Sequence, residues 1–277
     1  MGKIIWLASY PRSGNIWLQS FLHNLLRNAN HTPNAQELGA FCTLESSALH
    51  FVTPESQSLS TWTHEEIAMR RAEAHKEISE TNSDNVFAST RSALLIHGGA
   101  PTITMEHTAA AVYVARNPLD VVVSLAAYHD QSIDQAIDQL AAEHNSENSN
   151  QFAYEHHGSW SSHVKSWTLQ RHAGLHILRY EDMVSTPESA FAPLATFLGF
   201  DTTQERLARA IQFTSFAKLA AHSESVDGQG GAGNSAELFR KGTSDQWREF
   251  LSADQVRRIV ERHGEQMQRF EYIPKHY

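Results

Sequence analysis

Lys3-Ile4-Ile5-Trp6-Leu7-Ala8-Ser9-Tyr10-Pro11-Arg12-Ser13-Gly14-Asn15-Ile16-Trp17 is the stretch from which the rest of the chain is read. Lys3 to Ser9 is a nearly continuous apolar run, the pattern of a strand buried on both faces, and it breaks at Tyr10-Pro11-Arg12-Ser13-Gly14. From Asn15 to Ala29, Trp17, Leu18, Phe21, Leu22, Leu25 and Leu26 recur at three- and four-residue spacing, which predicts an amphipathic helix. A strand handing over to a helix through a glycine turn leaves the first N–H groups of the helix unpaired at the positive end of its dipole. A phosphate or sulfate can sit there. Arg12 would add a full charge. The loop is not a Walker A sequence, because Asn15-Ile16 follows Gly14 where Lys and Ser/Thr are needed. Taken alone, the octet Tyr10 to Trp17 reads equally well as a tight turn with an exposed arginine.

The same rhythm continues outward. Val86-Phe87-Ala88 and Ala109 to Ala115 read as strands, and Pro118 suits the first turn of a helix running to about His129. Thr63, with Glu66 three residues on, opens a charged helix to about Thr81. Ser132 to His144, Ser159 to His172 and Pro187 to Leu198, the last stopped by Gly199, predict further helices; Leu175 to Arg179 predicts a strand, and a final helix starts near Ser252. Residues 30 to 60 lack a steady period and read as loop with at most a short helix. Asn145 to Asn150 reads as a mobile insertion, and the glycine-rich Val226 to Asn234 as a flexible loop. Strands alternating with helices predict an α/β chain, one domain over residues 1–277, with a central parallel sheet flanked by helices.

Composition narrows the classes. With 277 residues, 41% hydrophobic and 19% charged, the chain is globular, and disordered, collagen-like and coiled-coil classes are excluded. A net charge of -9 argues against a nonspecific grip on nucleic acid, so an anionic ligand needs a local basic site. The single cysteine, Cys42, offers neither an internal disulfide nor a zinc site and fits a reducing cytoplasm. The N-terminal apolar run is too short for a signal peptide, and no stretch approaches the roughly 20 residues that cross a bilayer. The expectation is a cytoplasmic protein with no membrane and no nucleic-acid partner.

Two more segments carry cations. Tyr113-Val114-Ala115-Arg116-Asn117-Pro118-Leu119-Asp120 sets an arginine at a strand end, and Ser124 lies two turns into the following helix, so both can converge on a second anion. The alternative is a helix-start salt bridge between Arg116 and Asp120. Arg240-Lys241-Gly242, after the glycine-rich stretch, reads alone as a solvated turn.

Taken together and in this order, the three segments resemble the cytosolic type of sulfotransferase, whose donor is 3'-phosphoadenosine 5'-phosphosulfate (PAPS) and whose product is adenosine 3',5'-bisphosphate (PAP). The resemblance implies a P-loop-like phosphosulfate-binding loop at Arg12, Ser13, Gly14, Asn15, Ile16 and Trp17, with Arg12 for the usual Lys and Asn15-Ile16 for the usual Thr-Thr. It assigns Arg116 and Ser124 to the 3'-phosphate and Tyr180 and Ser215 to the adenosine. Phe239, Arg240, Lys241 and Gly242 would close on the 3'-phosphate. The implied acceptor is a small molecule with a hydroxyl or amine, because the chain shows no long basic track for a polyanion. No metal is implied, and a homodimer is left open.

One departure bears on the chemistry. Where the family has Lys-Thr-His, with His as the base, this chain reads Ser89-Thr90-Arg91. A guanidinium cannot accept a proton near neutral pH. Arg12 and Arg91 are therefore expected to stabilise charge, while the base is sought among the histidines. His129, about one and a half turns beyond Ser124, is preferred to His97, and for both a purely structural role is the alternative. Trp17 and Tyr180 also read as core residues, and Glu181 and Asp182 as fixing strand ends. Two rivals remain: a nucleotide-binding homologue with lost or altered turnover because of Arg91, and a nucleotide-dependent kinase, for which Gly-Lys-Ser/Thr is lacking.

Overall fold

The computed structural model describes residues 2–52, 58–144, 146–147, 149–170, 172–227 and 242–275. Its frame is β1 (Ile4–Ser9), α1 (Asn15–Arg27), α2 (Ala35–Phe41), β2 (Cys42–Leu44), α3 (His64–Glu80) and β3 (Val86–Thr90). A two-residue ladder of β4 (Ile96–His97) and β5 (Ala100–Pro101) leads to β6 (Thr108–Ala115), α4 (Pro118–Tyr128) and α5 (Ile133–Ala141). Then come β7 (Ser146–Glu147), β8 (Glu155–His156), α6 (Trp160–Thr168), β9 (Leu175–Arg179), α7 (Tyr180–Ser185), α8 (Pro187–Phe197), α9 (Gln204–Phe213) and α10 (Phe216–Asp227). Helices α11 (Trp247–Phe250) and α12 (Ala253–Arg269) close the chain.

Five of the strands form one parallel sheet in the order β2-β3-β1-β6-β9. All six residues of β1 are buried, which is why the strand reads as an unbroken apolar run. Side chains alternate between the faces of a strand. Ile4, Trp6 and Ala8 pack with Leu119, Val122, Ile137, Trp160 and Ile259 of α4, α5, α6 and α12, while Ile5 and Leu7 pack with Leu18, Phe21, Phe191 and Leu194 of α1 and α8. Helix α3 begins with the predicted capping box: the Thr63 hydroxyl accepts from the Glu66 N–H (3.2 Å), and the Glu66 carboxylate accepts from the Thr63 N–H (2.7 Å).

The structure corrects the expectation in several places. Residues 30 to 60 hold α2 and the edge strand β2, whose Cys42, Thr43 and Leu44 pair with Phe87, Ala88 and Ser89. The stretch read as a mobile insertion contains β7, paired antiparallel with β8. Helix α5 stops at Ala141 and α6 at Thr168, short of His144 and His172. The glycine-rich stretch, read as loop from Val226, begins inside α10; Phe239, Arg240 and Lys241 lie outside the described residues. Among the described residues no helix is long and apolar enough to cross a membrane.

Candidate functional site

The parallel sheet points the carboxyl ends of its strands at one cavity of about 660 Å³, the position where open α/β sheets bind ligands. The β1–α1 turn contributes Arg12, Ser13, Gly14, Asn15, Ile16 and Trp17, the start of α4 contributes Arg116, Asp120 and Ser124, and Tyr180 follows β9. Arg91 follows β3, His129 ends α4, and Gly242 and Gln246 come from the C-terminal part.

The two arginine segments form one hydrogen-bonded unit. Arg12 takes a left-handed backbone (φ 65°), which turns its carbonyl toward Arg116; Arg116 Nη1 donates to it at 2.7 Å. Arg12 Nε donates to the Ser124 hydroxyl at 3.1 Å, and its guanidinium lies 4.5 Å from the centre of the Tyr128 ring. Arg116 is buried and stacks on Tyr180 at 4.2 Å. Gly14 precedes α1 with φ 100°, and a Cβ there would stand 2.7 Å from the Tyr180 ring, so only glycine lets the ring close on the turn. Asn15 turns inward: its amide donates to the Leu7 carbonyl and the Ser9 hydroxyl and stitches the turn to β1. Trp17 is buried with its edge toward Tyr180, at once core and cavity wall.

Ser13 and Arg116 line the cavity beside Arg12 and Ser124, and such a gathering of cations and hydroxyls suits an anion. Asp120 does not serve as the helix-start partner of Arg116: its carboxylate accepts the N–H groups of Asp245 (2.8 Å) and Trp247 (3.0 Å). Burial pushes its pKa up, against the opposing charge of Arg116. Glu181 accepts from the Asn117 N–H (2.9 Å) and the Tyr272 hydroxyl (2.8 Å), so it fixes the β6–α4 junction.

On the other side of the cavity, Arg91 is held at three points. Its N–H (2.9 Å) and its Nε (3.0 Å) both donate to the carboxylate of Glu155, and its carbonyl accepts from His163 Nε2 at 3.0 Å. Burial pushes the His163 pKa down to about 3, so the ring is neutral and its Nδ1 accepts from the Tyr113 hydroxyl. Beyond Arg91 the wall is mostly apolar, built from Pro33, Leu38, Cys42, Leu44, Leu49 and Phe152, with Thr43 and Ser47 among them. Burial pushes the Cys42 thiol up to about 12, which makes it a packing residue and not a nucleophile.

Other expectations separate. His129 lines the cavity, exposed, with its ring against Tyr128. His97 does not; its Nε2 meets the Tyr154 hydroxyl at 2.6 Å beside a separate small pocket. Ser215 is not among the lining residues either, and its carbonyl accepts the N–H groups of Lys218 and Leu219. Its neighbour Phe216 lines the cavity, with its ring where a Cβ of Gly242 (φ 60°) would fall. Glu155 and Phe216 carried no local signal in the sequence. Among the described residues no group of three or more His, Cys, Asp or Glu is placed to hold a metal ion.

The sequence profile of the sulfotransferase domain matches residues 3–271. The chain belongs to the sulfotransferase domain family. It is 27% identical to mouse sulfotransferase 2B1 over 173 residues, which cover 59% of this chain and about half (49%) of that protein. Flavonol 3-sulfotransferase of Flaveria bidentis is 21% identical over 267 residues, 92% of this chain and 78% of that one. The fold of this sulfotransferase domain is shared with a retinol dehydratase solved with retinol and PAP (TM-score 0.66, 16% identity, 96% of this chain and 81% of that one). A mouse sulfotransferase solved with PAP gives a TM-score of 0.62 at 20% identity, over 96% of this chain and 85% of that one.

Proposed function

We propose that this chain moves a sulfuryl group from PAPS to a hydroxyl or amine of a small-molecule acceptor and releases PAP. The observation that carries the reading is the convergence of Arg12, Ser13, Arg116 and Ser124 on one cavity, with Arg12 bonded to both Arg116 and Ser124. The two structural relatives described above were solved with PAP, which supports the same reading. When bound, PAPS supplies an activated sulfuryl group on a phosphate leaving group. Ser13, the first N–H groups of α1 and Arg12 hold the phosphosulfate and stabilise the charge that grows on its bridging oxygen. Arg116 and Ser124 hold the 3'-phosphate, and the rings of Tyr180 and Trp17 border the nucleoside. Arg91 stabilises charge at the acceptor end, and His129 receives the acceptor's proton. The same reading places the chain in a reducing cytoplasm, where Cys42 stays a thiol.

Incubation with radiolabelled donor and a panel of acceptors, without magnesium, tests this. Label moves to an acceptor under the proposal. Magnesium-dependent hydrolysis of ATP would favour a kinase instead. PAP binding without transfer would favour a homologue without turnover, the reading that Arg91 motivates. Arg12→Ala is expected to lower kcat/KM by about 100-fold or more, as loss of a transition-state donor does; unchanged activity would remove the loop from the mechanism.

A further inference from the structure

The sheet order divides the cavity. Over β1, β6 and β9 stand Arg12, Arg116 and Tyr180, whereas over β2 and its approaches the wall is mostly apolar, with Leu38, Leu44 and Phe152 beside Thr43 and Ser47. Arg91, at the end of β3, stands on the boundary, one strand spacing of about 4.8 Å from β1. An acceptor seated on the apolar side must bring its attacking atom to that boundary, and what it meets there is a cation. The Arg91 side chain is 34% exposed and that of Glu155 is 3% exposed, so the ion pair turns its positive end outward and keeps its carboxylate behind. Glu155 comes from β8, which is anchored in turn by the Ala93 N–H on the His156 carbonyl at 2.7 Å.

We propose that Glu155 is a positioning residue that fixes the Arg91 guanidinium at the acceptor end of the cavity, and that this fixed cation confines acceptors to acidic hydroxyls on apolar bodies, phenols rather than aliphatic alcohols. The proposal rests on the sulfotransferase reading. Its reason is one of magnitude. A phenol ionises near pH ~10, and a cation within a few ångströms lowers that by about 1–3 units, to about 7–9, so an appreciable share is phenolate near neutral pH. An aliphatic hydroxyl starts close to water's ~15.7 and stays neutral after the same shift. Arg91 cannot take the proton itself; it only brings the acceptor's acidity toward that of an imidazole, a gap that a phenol closes and an aliphatic alcohol does not. The phenolic proton passes to His129, the oxygen's electron pair forms the bond to sulfur, and the bond from sulfur to the 5'-phosphate oxygen breaks with its pair on PAP.

The test measures kcat/KM for matched phenols and aliphatic alcohols in the wild type, Arg91→Met, Glu155→Gln and the double variant, with PAP affinity by calorimetry. Phenols are expected to exceed alcohols by about 100-fold or more, a floor well below the ratio of anion fractions that a gap of about 5 to 6 units of acidity sets. Glu155→Gln should lower kcat/KM for phenols on the order of ten-fold while leaving PAP affinity unchanged, and should cost nothing further once Arg91 is Met. Arg91→Met should lower kcat/KM for phenols by about ten-fold or more, the loss of at least one unit of acidity. Alcohols used as well as phenols, additive effects of the two substitutions, or loss of PAP binding in Glu155→Gln would each overturn the proposal. A wild type that binds PAP yet transfers to no acceptor overturns the sulfotransferase reading itself.

Discussion

Gly14 and Tyr180 meet so closely that the turn's backbone and the ring form one surface. Gly14→Ala forces a side chain into a left-handed backbone and pushes the ring aside, which should cost on the order of 1–3 kcal/mol of stability. Because Tyr180 also carries the Arg116 guanidinium, PAP affinity should fall as well. Thermal melts and calorimetry check both, and a variant that binds PAP like the wild type would sever the ring from the anion site. At this scale the sequence was legible where a residue's place in the cavity follows from a strand end: Arg12, Arg116 and Tyr180 all stand within a few residues of one. It was opaque for Glu155, which reaches Arg91 across 64 residues of chain, and one residue out of place at Ser215, where Phe216 faces the cavity.

Helix α4 joins both halves of the proposed anion site. Asn117 caps it by accepting from the Leu119 N–H, Pro118 opens its first turn, and Asp120 reaches out to the N–H groups of Asp245 and Trp247. That carboxylate ties the C-terminal segment carrying Gly242 and Gln246 to the cavity. Asp120→Ala should leave two N–H donors without acceptors, lowering stability by about 2–4 kcal/mol and weakening PAP binding more than Asp120→Asn does. Chemical denaturation and calorimetry read these out; equal PAP affinity in all three proteins would show the tie to be irrelevant to the site. Elements with strong periodicity, such as α1 and α4, were legible, since their apolar spacing reports burial directly. Strand β2 has three residues in a stretch without a period, and α7 follows β9 with no break, so neither announces itself. Helix α9 did carry a signal in its Thr203 cap and the Leu207–Ala210–Ile211 stripe.

Across the molecule, burial keeps His157, His163 and His263 neutral, pulling His163 down to about 3 and His263 to about 4. In the unfolded chain the same rings titrate near 6.5. Below that pH the unfolded state binds more protons, so stability should fall as pH drops, by up to ~1.4 kcal/mol per pH unit for each ring until its folded pKa is reached. Asp120 and Glu181, both pushed up by burial, act in the opposite sense at lower pH. Urea midpoints should therefore be level between about pH 7.5 and 8 and decline from about pH 6.5 to 5; a constant midpoint across the lower range would mean the three rings are not held neutral.

The oily wall of α2, β2 and Phe152 is drawn from other stretches of chain than the cations at the ends of β1, β3, β6 and β9. Mutational drift can therefore retool one without breaking the other.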